Sequence, residues 1–318
     1  MASPVVDPGR AVRRLAWASL VFTVAVILGG AIVRATDSGA GCGESWPRCQ
    51  GHILPFTARG ATLIEFTHRT MTAALGIALA LLVVLAIRHY PKRHAVRRSV
   101  AWSIAFFSGE VIIGAVLVVF GWVEDDASVG RIVAVGVHLM NTFLLLGALA
   151  LTSHLAAGGA PVRIDRTRHR DRAILAGVAI LFVVGASGAL NALSDSLFPA
   201  GTLLEGIRAE FGAAAPFLLR IRTVHPVLAI LGGAIVFVLA RSPVLDTPGR
   251  PSRLAGWVQA LVGAQLVMGL LNVALLTPVE TQVLHLLLAD AVWVVWVLLG
   301  AELLGVRQTE LEPVGEPR

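Results

Sequence analysis

The sequence is short of charged residues. Asp, Glu, Lys and Arg make up 14% of the 318 residues, whereas 56% are hydrophobic, and the mean hydropathy is +0.78. Soluble domains carry about 25% charged residues, so this composition excludes an ordinary soluble protein. Windows of about 20 apolar residues, which is the length that crosses a bilayer, fall near residues 15–35, 64–87, 100–121, 132–155, 173–193, 219–240, 254–276 and 282–304. We therefore predict an all-α membrane protein with eight transmembrane helices, the first being a retained span rather than a signal peptide.

Aromatic residues are scarce in the basic segments. Most of the 26 Lys and Arg residues lie in the N-terminal arm, in the tail, and near residues 88–98, 156–172 and 241–253. Basic residues that border apolar spans without interleaved aromatics do not indicate nucleic-acid binding. By the positive-inside rule they predict a multi-pass protein of the cell membrane with both termini in the cytoplasm.

Cysteine is also scarce. The two cysteines, Cys42 and Cys49, lie together in GAGCGESWPRCQGH, in the first predicted outer loop. Zinc would need further ligands beside the nearby His52, and no second Cys or His pair stands at zinc spacing. A cysteine pair on the oxidising side of a membrane persists as a disulfide, so we favour a disulfide over zinc.

The two halves of the chain resemble each other. GGAIVRATDS, residues 29–38, aligns with SGALNALSDS, residues 187–196, at an offset of 158. GEVIIGAVLV, residues 109–118, aligns with AQLVMGLLNV, residues 264–273, at an offset of 155. With an even number of helices in each unit, such repeats are parallel in the membrane. We predict two pseudo-symmetric four-helix bundles, an N-terminal one in residues 1–155 and a C-terminal one in residues 173–318, joined by a cytoplasmic linker in residues 156–172.

Four of the nine histidines lie inside apolar spans, about two turns or less from the predicted outer ends. They are His68, His138, His225 and His285. Ionisable residues in membrane helices are costly and usually functional. Bundle cores hold metals and haem, and neutral imidazole binds haem iron axially. We predict one haem in each bundle, between His68 and His138 in the first and between His225 and His285 in the second.

Glu65 lies three residues before His68 and so shares its helix face. A di-iron site is excluded, because the other three histidines have no acidic residue three positions before them. Glu65 could serve proton transfer or stabilise a developing cation. Equally, Thr62-x-x-Glu65 is the pattern of a helix capping box. Arg222 occupies the aligned position in the second half and could pair with a haem propionate.

Three further polar residues have no assigned role at this point. Glu110 aligns with Gln265, so its charge is not repeated, and it could be a hydrogen-bonded packing group. Asp290 follows His285 by five residues and could orient a neighbouring group. Arg69 could be an interfacial anchor or a propionate partner.

The run GAGCGESWPRCQGHILP, the following IEFTHR, and single histidines in the fourth, sixth and eighth spans resemble the heme A synthase family. The resemblance extends over nearly the whole chain. Members oxidise a ring methyl of haem O to the formyl group of haem A, which terminal oxidases use. The resemblance therefore implies a membrane-bound, haem-dependent oxidoreductase with haem O as its substrate, haem A as its product and haem b as its cofactor.

The resemblance also implies a role for each matched residue. Glu65 would be the catalytic carboxylate, His68 and His138 would flank the substrate haem, His225 and His285 would bind haem b, and Cys42 and Cys49 would form a disulfide that passes electrons. The second half has no cysteine, which excludes any mechanism that requires four.

The expected partners are haem O, the bilayer, the enzyme that makes haem O, an electron acceptor or donor, and further copies of this chain. Two other functions fit the pattern. A diheme b-type cytochrome would transfer electrons only and would not need Glu65. A transporter with parallel repeats would use Glu65, Glu110 and Asp290 as proton sites.

Overall fold

The computed structural model describes residues 8–55, 57–212, 215–242 and 247–305. Within these ranges the chain forms nine α-helices. They are α1 (Pro8–Ala35), α2 (Ala61–His89), α3 (Ala95–Val119), α4 (Val129–Ala156), α5 (His169–Leu197), α6 (Leu203–Glu210), α7 (Phe217–Arg241), α8 (Arg250–Ala274) and α9 (Val279–Leu304). All except α6 are long and apolar enough to cross a membrane, which confirms the prediction of an all-α protein with eight spans. The chain ends, predicted to be cytoplasmic, fall partly outside the described residues.

The spanning helices all begin two to seven residues before the apolar windows. Hydropathy detects the part of a helix that lipid can surround, whereas polar residues continue the same hydrogen-bonded turns into the interface. At α4, for example, the Ser128 hydroxyl accepts a hydrogen bond from the Arg131 backbone N–H at 3.2 Å. That N-cap starts the helix before the predicted window.

The short helix α6 was not predicted. It lies in the connection between α5 and α7, and the hydroxyl of its N-cap Thr202 accepts from the Glu205 N–H at 3.2 Å. Eight residues cannot cross a bilayer, so no hydropathy window marks it. Its exposed Leu203, Leu204 and Ile207 give it an apolar side.

The spanning helices are arranged as two rings of four. In the first, α1 packs on α2, α2 on α3, α3 on α4 and α4 on α1; in the second, the order is α5, α7, α8 and α9, closed by α9 on α5. Helix α4 packs on α5 and α9, and α1 packs on α9, so these four helices form the junction between the rings. The pseudo-symmetry and the domain limits expected from the sequence repeat stay predictions.

The core of the junction is aromatic. Trp293 of α9 stacks on Phe143 of α4 with ring centroids 5.1 Å apart, and its indole N–H donates to the Phe143 carbonyl at 2.6 Å. Phe182 of α5 meets both rings edge-on. Trp293 and Phe143 are buried, so this contact holds α4, α5 and α9 together.

A polar clasp joins the two rings at the end that is predicted to be outer. Arg34, at the end of α1, donates to the carbonyl of Ala192, to the hydroxyl of Ser196 at 2.7 Å and to the Gln282 side-chain oxygen at 2.8 Å. At the opposite end, the linker is tied to the end of α9, because the Arg163 N–H donates to the Leu304 carbonyl at 3.0 Å.

Candidate functional site

The four predicted histidines lie at similar depths. His68, His138, His225 and His285 each stand six to nine residues after the first residue of α2, α4, α7 and α9. At 1.5 Å per residue this is about 9–14 Å along each helix. All four are half-buried. His68 and His138 are close enough for their charges to interact, and so are His225 and His285. The structure thus brings together the two pairs that the sequence predicts.

In the first bundle, His68 lies against the backbone of α1. A Cβ atom added at Gly30 would stand 3.1 Å from Cε1 of the His68 ring, and one at Gly29 would stand 3.3 Å from Nδ1. The backbone of Val26 in α1 is a hydrogen-bonding neighbour of the His68 ring, although the buried Nδ1 makes no well-aligned hydrogen bond among the described residues. Because Gly29 and Gly30 have no side chain, the His68 imidazole can occupy this space.

His138 has an anionic neighbour in α3. Its Nδ1 lies 2.9 Å from Oε2 of Glu110, although the ring is not aligned with that oxygen for a hydrogen bond. The Asn141 side-chain amide donates to Oε1 of Glu110 at 2.6 Å, and the Thr142 hydroxyl donates to Oε2 at 2.9 Å. Glu110 is thus hydrogen-bonded, as expected, and it also faces one of the predicted haem ligands.

In the second bundle, both histidines contact neutral groups. His225 Nδ1 lies 3.0 Å from the Ser187 hydroxyl, and a Cβ at Gly188 would stand 3.0 Å from the same ring. His285 Nε2 lies 3.2 Å from the Gln265 amide nitrogen, while His285 Nδ1 has no partner within the described part of the chain.

The contacts of the two bundles follow the sequence alignment. Gly30 and Gly188, which align at the offset of 158, each face the histidine of the next helix. Glu110 and Gln265, which align at the offset of 155, each contact the other histidine of their bundle. The halves thus differ in charge at a shared position.

Glu65 does not form the expected capping box. The N-cap of α2 is Gly60, and no side chain caps it. The Thr62 hydroxyl donates instead to the Gly41 carbonyl at 2.8 Å. Glu65 is buried, and its Oε2 accepts from the backbone N–H of Cys42 at 2.7 Å. The carboxylate therefore binds the cysteine-bearing loop and not the end of its own helix.

Arg69 completes this connection. Its Nε and Nη2 donate to Oε1 of Glu65 at 3.0 and 2.5 Å, and its Nη1 donates to the carbonyls of Ser45 and Arg48 at 2.9 and 3.0 Å. The two side chains, with the loop groups that they bind, form what we call the outer-loop clamp. The two roles expected for Arg69, an interfacial anchor and a propionate partner, stay predictions.

The clamped loop contains a disulfide between Cys42 and Cys49, and both cysteines are fully buried. Gly41 brings the loop close to α2, since a Cβ there would lie 2.4 Å from the backbone of Ala61. In the described residues, no group of three or more His, Cys, Asp or Glu side chains could hold a metal ion. The disulfide, and not a zinc site, is what the structure shows.

Arg222 also has protein partners. Its Nε lies 2.9 Å from Oδ1 of Asp195, and its Nη2 donates to the carbonyls of Ser194 and Phe198 at 3.0 and 2.6 Å. Nearby, burial raises the pKa of Glu210 at the end of α6, opposed by the charge of Arg222. Arg222 therefore ties α7 to the end of α5 in much the same way as Arg69 ties α2 to the first loop.

Asp290 is fully buried in α9, and neither of its carboxylate oxygens has a hydrogen-bond partner among the described residues. The expectation that it orients a neighbouring group stays a prediction. The neighbours of the histidines, Glu110, Gln265 and Ser187, were not identified as site residues from the sequence. The sequence feature that could have identified them is a polar residue at an aligned position inside an apolar run.

Comparison with known proteins adds a family and several relatives. Residues 13–297 match the model of the COX15-CtaA family, described as cytochrome oxidase assembly protein. A Thermus thermophilus protein named Protoheme IX farnesyltransferase is 42% identical over 304 residues, which cover 95% of this chain and 50% of the relative. Proteins named Heme A synthase from Bacillus mycoides and Bacillus cereus are 35% identical over 112 residues, covering 34% of this chain and 36% of theirs. This chain spans about half the length of the Thermus relative.

Proposed function

Because this chain belongs to the COX15-CtaA family of cytochrome oxidase assembly proteins, we propose that it is a heme A synthase. It would oxidise a ring methyl of haem O to the formyl group of haem A. The observation that carries the proposal is the arrangement of two histidine pairs at similar depth, with Glu65 and a disulfide loop near the first pair and Arg222 at the position aligned with Glu65 in the second. A protein that changes one haem and keeps another needs two sites that differ in this way.

We assign the substrate to the first bundle, between His68 and His138, and haem b to the second, between His225 and His285. The fit rests on the half-buried rings, on the buried Nδ1 of His285 that has no partner among the described residues, and on the glycines beside His68, His225 and His285. Neutral imidazole nitrogens are axial ligands for haem iron. When bound, haem b would supply one-electron transfer.

Glu65 is the proposed catalytic carboxylate. It lies three residues before His68 in α2, and its carboxylate is held at the loop between α1 and α2, at the end of the bundle that would receive the substrate. Arg69 binds Oε1, whereas Oε2 has one donor, the Cys42 N–H. A carboxylate oxygen can accept two hydrogen bonds, so Oε2 retains one acceptor position. Glu65 would use it to hold the water that becomes the formyl oxygen and to take a proton from that water.

The proposed partners follow from the relatives. A protein named as a farnesyltransferase of protoheme IX contains a half that resembles this chain, so an enzyme that supplies farnesylated haem is a fitting neighbour in the membrane. An electron acceptor is also required when water supplies the formyl oxygen, because the methyl group loses electrons; an electron donor is required instead if molecular oxygen is the oxidant. We place the protein in the cell membrane with both termini in the cytoplasm, in agreement with the basic segments.

The test is to purify the protein from membranes that contain haem O and to identify the extracted haems by mass. We expect haem b together with haem O or haem A. Glu65→Gln should keep both haems and stop formyl formation, His225→Ala should lose haem b, and the exposed outer-loop control His52→Ala should change neither. Haem b alone in every preparation, with no conversion in cells, would favour the electron-transfer cytochrome. Full conversion by Glu65→Gln would overturn the catalytic role of Glu65.

A further inference from the structure

Glu110 is held in one position by its neighbours. Asn141, which donates to Oε1, also donates to the Phe106 carbonyl at 2.7 Å, so its amide is fixed between two acceptors of α3. Gly109 leaves room for this amide, since a Cβ there would lie 3.0 Å from it. Thr142 is buried and donates to Oε2. The carboxylate is therefore fixed with Oε2 toward His138.

This arrangement fits the neighbour of a metal-binding imidazole. A histidine that binds a metal usually donates its other ring N–H to a carboxylate, a carbonyl or water, and this fixes the tautomer and makes the ligand more basic. Glu110 Oε2 lies 2.9 Å from His138 Nδ1. A proton on Nδ1 shared with this oxygen would leave Nε2 as the ring nitrogen available to an iron.

The second bundle offers no such charge. Gln265 stands at the aligned position, is neutral, and has its amide nitrogen 3.2 Å from His285 Nε2, while its own carbonyl oxygen has no partner within the described residues. Hydrogen bonding to an axial ligand is one of the means by which a protein sets the potential of a haem. A carboxylate at one site and an amide at the other would therefore separate the potentials of the two haems.

We propose that Glu110 is a positioning residue, which orients His138 and makes the iron of the first-bundle haem easier to oxidise than that of the second. This inference rests on the proposed function, because it takes His138 as a ligand of the substrate haem. Its physical basis is that a fixed negative charge on the imidazole stabilises the more positive, oxidised iron. The substrate, which must lose electrons, would then lie in the bundle where electron loss is easier.

The experiment is a potentiometric titration of the purified protein with its haems bound, followed by visible absorption. His138→Ala and His225→Ala assign each redox step to a bundle. We expect Glu110→Gln, which copies Gln265, to raise the reduction equilibrium constant of the first-bundle haem about tenfold, or ~59 mV for one electron. The second-bundle step and the thermal stability should not change, whereas a merely structural role would lower stability and leave the potential in place.

Gln265→Glu is the reciprocal variant, and it should lower the potential of the second-bundle haem alone. If Glu110→Gln does not accumulate as folded protein, this variant decides the question. The inference would be overturned if the reduction equilibrium constants of the variants that fold stay within about twofold of the wild-type values. The proposed function would then remain intact. If His138→Ala leaves both redox steps in place, the assignment of the substrate site fails, and with it the proposed function.

Discussion

Removal of Arg69 should release the disulfide loop from α2. Arg69→Met keeps much of the apolar stem and deletes the guanidinium, which supplies two hydrogen bonds to Glu65 and two to the loop carbonyls of Ser45 and Arg48. Glu65 would keep only the Cys42 N–H as a donor. The variant thus leaves a nearly unpaired carboxylate in a buried position.

The size of the effect follows from the burial of the pair. The side chains of Arg69 and Glu65 are 13% and 4% exposed, so the pair is largely shielded from water. Removing one partner of a buried ion pair costs about 3–5 kcal/mol. Opening the loop lets water reach Glu65, so we expect the cost to appear as loop opening and not as unfolding of the bundle. At about 1.4 kcal/mol for each factor of ten, the open population should rise roughly a hundredfold or more.

The assay is reduction of the Cys42–Cys49 disulfide by a water-soluble phosphine, with the protein in lipid nanodiscs and thiols counted by mass. Because both cysteines are fully buried, reduction should require the open loop and should accelerate in Arg69→Met. Arg59→Met, at an exposed position of the same connection, is the control. Adding Glu65→Gln to Arg69→Met should slow disulfide reduction part of the way back to the wild-type rate, because it removes the unpaired charge. Equal reduction rates in Arg69→Met, Arg59→Met and the wild type would refute the reasoning.

Two further substitutions test the packing. Gly41→Ala would place a Cβ 2.4 Å from the backbone of Ala61 and should lower the free energy of unfolding by about 1–3 kcal/mol. Gly114→Ala is the control and should be tolerated, because a Cβ there would have nothing within 4 Å. Equal melting temperatures of the two variants would contradict this expectation. Trp293→Phe keeps the stacked ring but loses the hydrogen bond to Phe143 and should cost about 0.5–1.5 kcal/mol in thermal unfolding; an unchanged melting temperature would show that the bond contributes nothing.

The spanning helices could be predicted from the sequence because the bilayer sets a minimum apolar length, and a run such as residues 219–240 meets it without reference to the rest of the chain. The depth of the histidines could be predicted for a related reason. Once a helix such as α7 is located, the position of His225 along it is fixed by the rise per residue. Helix α6 escaped prediction because a short interfacial helix is formed by its N-cap Thr202 and by its surroundings, without a distinctive apolar run.

The contacts of the site depended on how distant segments pack. Thr62-x-x-Glu65 reads as a capping box, yet the Cys42 N–H, 23 residues before Glu65, supplied a donor that the local pattern does not contain. The contact between Glu110 and His138 joins two helices, and no spacing rule gives their relative rotation. The sequence therefore predicted the positions of polar residues along their helices more reliably than it predicted the partners that hold them.

The clasp made by Arg34 bears on the predicted repeat of the two halves. In the alignment of the halves, the counterpart of Arg34 is Ala192, and the backbone carbonyl of Ala192 is one of the groups that Arg34 binds. Two identical halves would carry either two alanines here, with no clasp, or two arginines with like charges. A single arginine that binds the backbone of its own counterpart avoids that repulsion, so the clasp is a contact for which the two halves must differ in sequence.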